Sequence, residues 1–314
     1  MINNQTSNND IAKILKYDVF DKVLLVGDIY QLESINFGNW FMLARELMNK
    51  DVSFELKFTH RTKNNELLKL WNLVRNTDNK VTDFMSKNAF NYPINKELLT
   101  SYDKDEIILC LAYNGLFGIN NINCIMQSKN PGKTIDIGIS RYKVNDPIVF
   151  NESKIYGDVL YNNLKGRLTD IKELEDRVYF EIELETIIDS TDIENAGVAY
   201  IGDDGEKSII GLYVSKIADT DEDDRNEMVV PFSVAYAMSV YKAQGLEYNS
   251  VKIIIPNDLE EIVTPNLFYT AITRSRESLR IYWSPETQQK ILEQLNFSPD
   301  NKTLSILRNK LNNK

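Results

Sequence analysis

Histidine and cysteine are almost missing from this chain: His60 is its single histidine, and Cys110 and Cys124 are its only cysteines among 314 residues. A zinc site takes three or four nitrogen, sulfur or carboxylate ligands, and nucleophilic catalysis takes a thiol or hydroxyl beside a base. One imidazole and two well-separated thiols supply neither, so no metal site and no Cys-His or Ser-His pair is expected. Cys110 lies in the apolar run Ile107-Ile108-Leu109-Cys110-Leu111, and both thiols are expected to be buried in a reducing compartment. Long apolar runs are missing too. Nothing approaches the roughly 18 residues of a membrane span. The polar start, Met1-Ile2-Asn3-Asn4-Gln5-Thr6-Ser7-Asn8-Asn9-Asp10, lacks the basic and apolar regions of a secretory signal. The expectation is a cytoplasmic protein without membrane contact.

Positive charge is in deficit. Thirty-six Lys and Arg face 46 Asp and Glu, a net charge of −10, which argues against gripping nucleic acid by bulk charge but leaves room for a local basic track. Much of the acid is gathered in Asp219-Thr220-Asp221-Glu222-Asp223-Asp224-Arg225-Asn226-Glu227, expected to be a solvated loop. The length suits about two compact units.

What is present has α/β punctuation at both ends and a β-rich middle. Lys22-Val23-Leu24-Leu25-Val26-Gly27-Asp28 reads as a buried parallel strand that delivers a polar loop at its C-terminal edge, where ligands of α/β sheets bind. Residues 56–61 read as a second strand-to-loop unit, 40–49 and 65–75 as amphipathic helices, and 106–112 as a strand followed by a helical stretch through Gln127. From about Val144 short strands alternate with turns, at 147–150, 167–171, 178–184 and 209–214, with Asp203-Asp204-Gly205-Glu206 as a hairpin turn. The α/β pattern resumes near Phe232, with strands at 251–255 and 278–283 around a helix at 266–276, and a polar helical tail closes the chain.

Four ordered segments carry chemistry. Gly27-Asp28-Ile29-Tyr30-Gln31-Leu32 ends a strand with a carboxylate and an amide. Thr59-His60-Arg61-Thr62 offers a guanidinium fork suited to phosphate. Ala237-Met238-Ser239-Val240-Tyr241-Lys242-Ala243-Gln244-Gly245-Leu246-Glu247-Tyr248 has a glycine that permits close backbone approach, and Leu267-Phe268-Tyr269-Thr270-Ala271-Ile272-Thr273-Arg274-Ser275-Arg276 ends a helix in basic residues. In this order and spacing they resemble motifs III, IV, V and VI of a UvrD/RecD-type superfamily 1 DNA helicase, over nearly the whole chain from Val23 to Trp283. Tyr241 stands where many relatives have histidine, which leaves the DNA contact at that point open.

The resemblance implies an α/β fold: a RecA-like domain of the P-loop NTPase type with an inserted small SH3-like β-barrel. Residues 1–50 would end a first RecA-like domain, 51–142 and 229–314 would form the second, and 143–228 the insert. It also implies roles. Arg274 would be the arginine finger, Arg61 would reach the nucleotide from motif IV, and Gln31 would sense the γ-phosphate, supported by Asp28. Gly245 would approach nucleotide phosphates and Glu247 would accept from a ribose hydroxyl. Ser239, Lys242 and Gln244 would touch the DNA backbone, with Lys165 and Arg167 of the insert beside the DNA path. Bland readings stand beside several of these. Arg61 suits a surface ion pair, Lys165 and Arg167 suit solvated turns, and Phe37 and Trp40 suit core packing as well as base stacking.

One part of the motor is not there. Pro131-Gly132-Lys133-Thr134 ends like a phosphate loop, but the pattern needs a glycine where this chain has Gln127, and a strand where it has a helix. The metal-holding acidic motif expected before motif III is also missing. The sequence therefore reads as the C-terminal portion of an ATP-dependent DNA helicase, not self-sufficient for ATP hydrolysis. ATP and Mg2+ would be cofactors of the complete motor, and single-stranded DNA and an N-terminal helicase half, in the same polypeptide or another chain, would be its partners. A helicase-like binding module without catalysis, or one subunit of a split helicase, is the alternative.

Overall fold

Leu67, Leu70, Trp71 and Val74 recur at helical spacing, and in the computed structural model of the protein all four are buried on one face of a helix. The structure describes residues 8–14, 16, 20–33, 40–56, 58–101, 103–151, 156–157, 159–216, 230–295, 305–306 and 308–309. Phe37 and the acidic run 219–227 lie outside them. The chain divides into two units, Met1–Asn95 with Glu247–Lys314, and Lys96–Leu246.

The first unit begins with α1 (Asn8–Ile14), α2 (Trp40–Leu47), α3 (Asn65–Arg75), α4 (Val81–Lys87) and β1 (Asn91–Tyr92). The α3 helix starts where Asn64 caps it: the side-chain oxygen accepts from the backbone N–H groups of Glu66 at 2.9 Å and Leu67 at 3.3 Å, satisfying donors the helix itself cannot.

The second unit runs through β2 (Glu106–Cys110), α5 (Ile119–Ser128), β3 (Thr134–Ile137), β4 (Ser140–Lys143), β5 (Pro147–Phe150), β6 (Lys165–Glu173), β7 (Arg177–Leu184), α6 (Ser190–Asn195), β8 (Ala199–Asp203), β9 (Ser208–Ser215), β10 (Phe232–Val234) and β11 (Ala237–Ser239). The apolar β2 pairs in parallel with β11, Ile108 opposite Ala237 and Cys110 opposite Ser239. The strands expected in the β-rich middle form an antiparallel sheet in the order β10-β5-β6-β7-β9-β8. Alternation sets its inner face: Val178, Phe180, Ile182 and Leu184 of β7 are buried. Phe232 packs edge-on to Tyr142, Phe150 and Phe180 with centroids 5.2–5.7 Å apart. The β8–β9 hairpin turns where 203–206 demands it, at Gly205 with φ +87°, while Asp204 Oδ1 accepts from the N–H groups of Glu206 and Lys207.

Asp146, with no solvent exposure, is a buried carboxylate answered by four donors. Its Oδ2 accepts from Gln127 Nε2 at 2.5 Å and Lys143 N at 2.8 Å, and its Oδ1 from Asn130 Nδ2 and the Tyr236 hydroxyl, both at 2.8 Å. Burial, followed by the Asp146 charge, pushes the Tyr236 hydroxyl well above its usual range.

The chain re-enters the first unit with β12 (Tyr248–Ile254), α7 (Pro265–Ile272), β13 (Ser275–Tyr282) and α8 (Pro285–Glu293). There β12, β13 and β1 are parallel neighbours, with Ile281 of β13 opposite both Ile253 and Asn91. Thr264 caps α7 by accepting from Leu267 N, and Pro265 occupies its first turn.

Three expectations need correction. Residues 22–28 do not form a buried strand; Leu25 alone makes a bridge, and Val23, Leu24 and Val26 are 40–60% exposed. A parallel strand is buried only when neighbours cover both of its faces, and these side chains are left uncovered. The strand expected at 56–61 is not formed by its described residues, 56 and 58–61, and Leu56 and Phe58 are among the most exposed apolar side chains. Cys110 is buried as expected, but Cys124 is exposed on α5. Among the described residues, no helix is long and apolar enough to cross a membrane.

Candidate nucleotide and nucleic-acid site

Motif III folds into a tight polar turn. Asp28 Oδ1 accepts from Tyr30 N at 3.0 Å, its Oδ2 accepts from Gln31 Nε2 at 3.2 Å, and its carbonyl accepts from Gln31 N at 3.2 Å. The aspartate closes the turn on itself, as short acidic side chains do, and holds the Gln31 amide. The turn is then fastened to α7. Thr270 Oγ1 accepts from Leu32 N at 2.8 Å, and Asn266 Nδ2 donates to the carbonyls of Ile29 at 3.2 Å and Gln31 at 3.0 Å. The helix that carries motif VI thus grips the motif III turn directly. Sequence alone does not single out Asn266 or Thr270; the available signal is their i, i+4 spacing on α7, eight and four residues before Arg274.

Arg61 reaches the same helix end. Its Nε pairs with Glu247 Oε1 at 2.6 Å, and its Nη1 donates to the Thr273 carbonyl at 2.9 Å. Thr62 and Asn64 extend this seam, Thr62 Oγ1 to the Arg276 carbonyl and Asn64 Nδ2 to the Glu277 carbonyl at 2.9 Å. Trp71 Nε1 on α3 donates to the Ile272 carbonyl at 3.1 Å, so the end of α7 is braced from two sides.

Arg274 is fully buried. Its Nε donates to the Thr270 carbonyl at 2.9 Å and its Nη2 to Thr273 Oγ1 at 3.1 Å. Desolvation, followed by the neighbouring Arg61 charge, lowers its pKa to about 10, while Glu247, Asp28 and Tyr269 oppose the fall. The Tyr269 hydroxyl is pushed up to about 12, by burial and then by Asp28. Its ring meets Tyr30 of motif III at 5.9 Å, and Arg75 stacks over Tyr30 at 4.5 Å. Asp28, Gln31, Arg61, Glu247 and Arg274, far apart in sequence, therefore meet in one unit. Two guanidinium groups, of which Arg61 lowers the pKa of Arg274, beside an amide and two carboxylates, suit a multiply charged anion with a hydroxyl-bearing group attached.

The remaining motif V residues belong to the second unit. Ser239 ends β11, and residues 240–245 form successive turns in which Gly245 has φ +87°, a conformation that suits glycine. Ser239 Oγ accepts from Lys242 N at 3.1 Å, Lys242 Nζ donates to Asn151 Oδ1 at 2.8 Å, and Gln244 N donates to the Tyr241 carbonyl. Tyr241 is half exposed. Lys165 pairs with Asp105 at 2.5 Å and Glu185 at 3.7 Å. Arg167 donates to the carbonyls of Asn145 at 2.8 Å and Lys104 at 2.7 Å. Among the described residues, no three His, Cys, Asp or Glu side chains gather as metal ligands.

Residues 234–282 match the UvrD-like helicase C-terminal domain. Over 90% of its length the chain is 23% identical to the RecBCD enzyme subunit RecD of Buchnera aphidicola (subsp. Schizaphis graminum), of which it spans 42%. The fold resembles that of Pif1 helicase from Candida albicans, with a TM-score of 0.58 and 14% identity over 100% of this chain and 76% of that one. It also resembles Bacteroides Pif1 bound to single-stranded DNA, with a TM-score of 0.51 and 14% identity over 98% and 74%. The chain is thus similar in sequence to RecD over most of its length, matches the UvrD-like helicase C-terminal domain at residues 234–282, and has a fold like that of Pif1 helicase.

Proposed function

We propose that this chain supplies one wall of an ATP site and part of a single-stranded DNA track in an ATP-dependent DNA helicase. The observation that carries the reading is the meeting of Arg61 and Arg274 beside Gln31, Asp28 and Glu247, with Arg61 depressing the Arg274 pKa. A γ-phosphate set between these guanidinium groups relieves their repulsion. The charge that spreads over a transferring phosphoryl group is what an arginine finger stabilises, with effects of about 10³-fold or more. Arg274 takes that role, held by the end of its own helix before the nucleotide arrives. Arg61, the less buried of the two, meets the phosphate from motif IV.

Gln31 senses the γ-phosphate, and its turn hangs from Asn266 and Thr270 of α7, so a shift of the phosphate is felt by motifs III and VI together. Glu247 accepts from the ribose, and Gly245 lets the backbone approach a phosphate. The donor set fits the γ-phosphate end of MgATP. It does not fit the metal or the remaining phosphates, because no phosphate loop and no acidic metal-binding cluster accompany it among the described residues. Those parts come from an N-terminal helicase half, in the same polypeptide or another chain.

The DNA contact rests on Ser239, Lys242 and Gln244. Lys165 and Arg167 add secondary contacts at most, since both already serve internal acceptors. In the organisation that suits these roles, residues 1–50 end the first RecA-like domain, 51–142 and 229–314 form the second, and 143–228 are the SH3-like insert. The DNA-bound state of the Bacteroides Pif1 fold relative agrees with a single-stranded partner. Single-stranded DNA-stimulated ATP hydrolysis tests the reading. Adding a polypeptide with the missing phosphate loop is expected to switch hydrolysis on, and Arg274→Ala to abolish it. Hydrolysis indifferent to Arg274 sinks the assignment.

A further inference from the structure

Lys242 is a half-buried cation whose side-chain acceptor is the neutral amide of Asn151. Its ammonium donates to Asn151 Oδ1 at 2.8 Å, and no carboxylate among the described residues pairs with it. Burial lowers its pKa, so an outside anion is the partner that would stabilise its charge. Asn151 is not a casual neighbour. It follows β5, its backbone N–H donates to the Pro231 carbonyl at 2.8 Å, and its side chain shares two contacts with Ser233 Oγ. Nδ2 donates at 3.0 Å, and the hydroxyl lies 3.2 Å from Oδ1. Ser233 belongs to β10, which pairs with β5, Ser233 opposite Val149. The side chain that aims Lys242 is therefore fixed by two strands of the six-stranded sheet, well upstream in sequence from motif V.

Electrostatics favours this choice of partner. An aspartate at position 151 would neutralise Lys242, whereas an amide oxygen orients the ammonium and leaves its charge and two of its N–H donors for a ligand. Ser239, whose Oγ accepts from Lys242 N, keeps its hydroxyl hydrogen as a further donor one side chain away. Two kinds of donor with a net positive charge, and no carboxylate paired with the ammonium among the described residues, suit a phosphodiester oxygen.

We propose that Asn151, held by Ser233, is a positioning residue for the nucleic-acid track, orienting Lys242 toward a backbone phosphate of single-stranded DNA. The inference rests on the reading of Lys242 as a phosphate contact. Through it, the β-rich sheet takes part in DNA binding by aiming a motif V cation.

The test is fluorescence anisotropy of a dye-labelled oligo-dT titrated with the 314-residue chain across a range of NaCl concentrations, beginning at low salt. Lys242→Ala is expected to weaken binding several-fold and to reduce the salt slope by about 0.7, the value for one phosphate contact on a single strand. Asn151→Ala is expected to weaken binding about threefold or more while keeping the slope, because the charge remains but is no longer aimed. Asn151→Asp is expected to lower both affinity and slope, since the new carboxylate takes the ammonium. The double variant Asn151→Ala with Lys242→Ala is expected to bind no worse than Lys242→Ala alone. Ser233→Ala, a milder change, is expected to reproduce part of the Asn151→Ala loss, and urea melts of each variant separate these effects from unfolding. If Lys242→Ala weakens binding while folded Asn151→Ala and Asn151→Asp bind like wild type, the positioning role is overturned and the phosphate contact stands. If Lys242→Ala has no effect, or the wild type does not bind, the phosphate contact itself fails and the inference falls with it.

Discussion

Breaking the Arg61–Glu247 pair tests whether motifs IV, V and VI form one energetic unit. At 2.6 Å, Coulomb's law gives about 1.6 kcal/mol in a water-like dielectric and about 6 kcal/mol at an effective dielectric of about 20. Neither figure is the net value, since two side chains must be desolvated and ordered. The side chains are 24% and 36% exposed, so solvent screens the pair and pulls it toward the modest end for charge-assisted bonds. The coupling expected from a double-mutant cycle of Arg61→Ala and Glu247→Ala is therefore about 1–2 kcal/mol. Arg61→Ala also strands the Thr273 carbonyl that Arg61 Nη1 serves, a further cost of about 1 kcal/mol. Relief of the repulsion that depresses Arg274 offsets part of that cost. The assay is urea unfolding of wild type, both single variants and the double, repeated at high salt, where the coupling should shrink. A coupling below about 0.3 kcal/mol, within the error of additivity, or one that ignores salt, would refute the reasoning.

Three more outcomes follow from buried groups. Asp146→Asn turns one of two oxygens that face four donors into a donor itself, and is expected to cost about 2–4 kcal/mol by urea unfolding. Thr270→Val removes the acceptor for Leu32 N and is expected to cost about 1–2 kcal/mol, with proteolysis near motif III accelerated in the folded state. Cys124 should react with a thiol reagent in the folded protein and Cys110 only on unfolding. Burial pushes the Cys110 thiol from its ordinary 9.0 up to about 12. The folded chain therefore keeps a proton that the unfolded chain loses above pH 9. Stability from this group is fully present below that pH and declines toward pH 12, by up to about 1.4 kcal/mol per pH unit. Cys110→Ala should flatten that part of the pH dependence of the urea midpoint.

Much of the fold was legible because its segments carry period and punctuation together. Residues 65–75 combine an amphipathic stripe with a capping Asn64, and 203–206 is a turn sequence that the chain uses as one. Residues 178–184 alternate as a half-buried strand must. The failures at 22–28 and 56–61 have one cause. An apolar run reports what a segment would bury if covered, but not whether a cover is supplied, and Leu24, Leu56 and Phe58 stay exposed. At the site, the resemblance to four ordered helicase motifs pointed to Asp28, Gln31, Arg61, Glu247 and Arg274, which the structure brings into one unit. Asn266, Thr270, Asn151 and Asp146 escaped notice because their work is to hold other side chains. A buried aspartate with four donors and a solvated surface aspartate look alike in sequence; only the fold separates them.

The measurement that bears most directly on the central claim is single-stranded DNA-stimulated ATP hydrolysis by the purified chain, with Arg274→Ala beside it and a melt to show that both are folded. Neither protein alone is expected to hydrolyse ATP above background, and hydrolysis dependent on Arg274 is expected once the missing phosphate loop is supplied. Hydrolysis by the wild-type chain alone, lost in Arg274→Ala, would contradict the account, because it would mean a complete nucleotide site within these 314 residues.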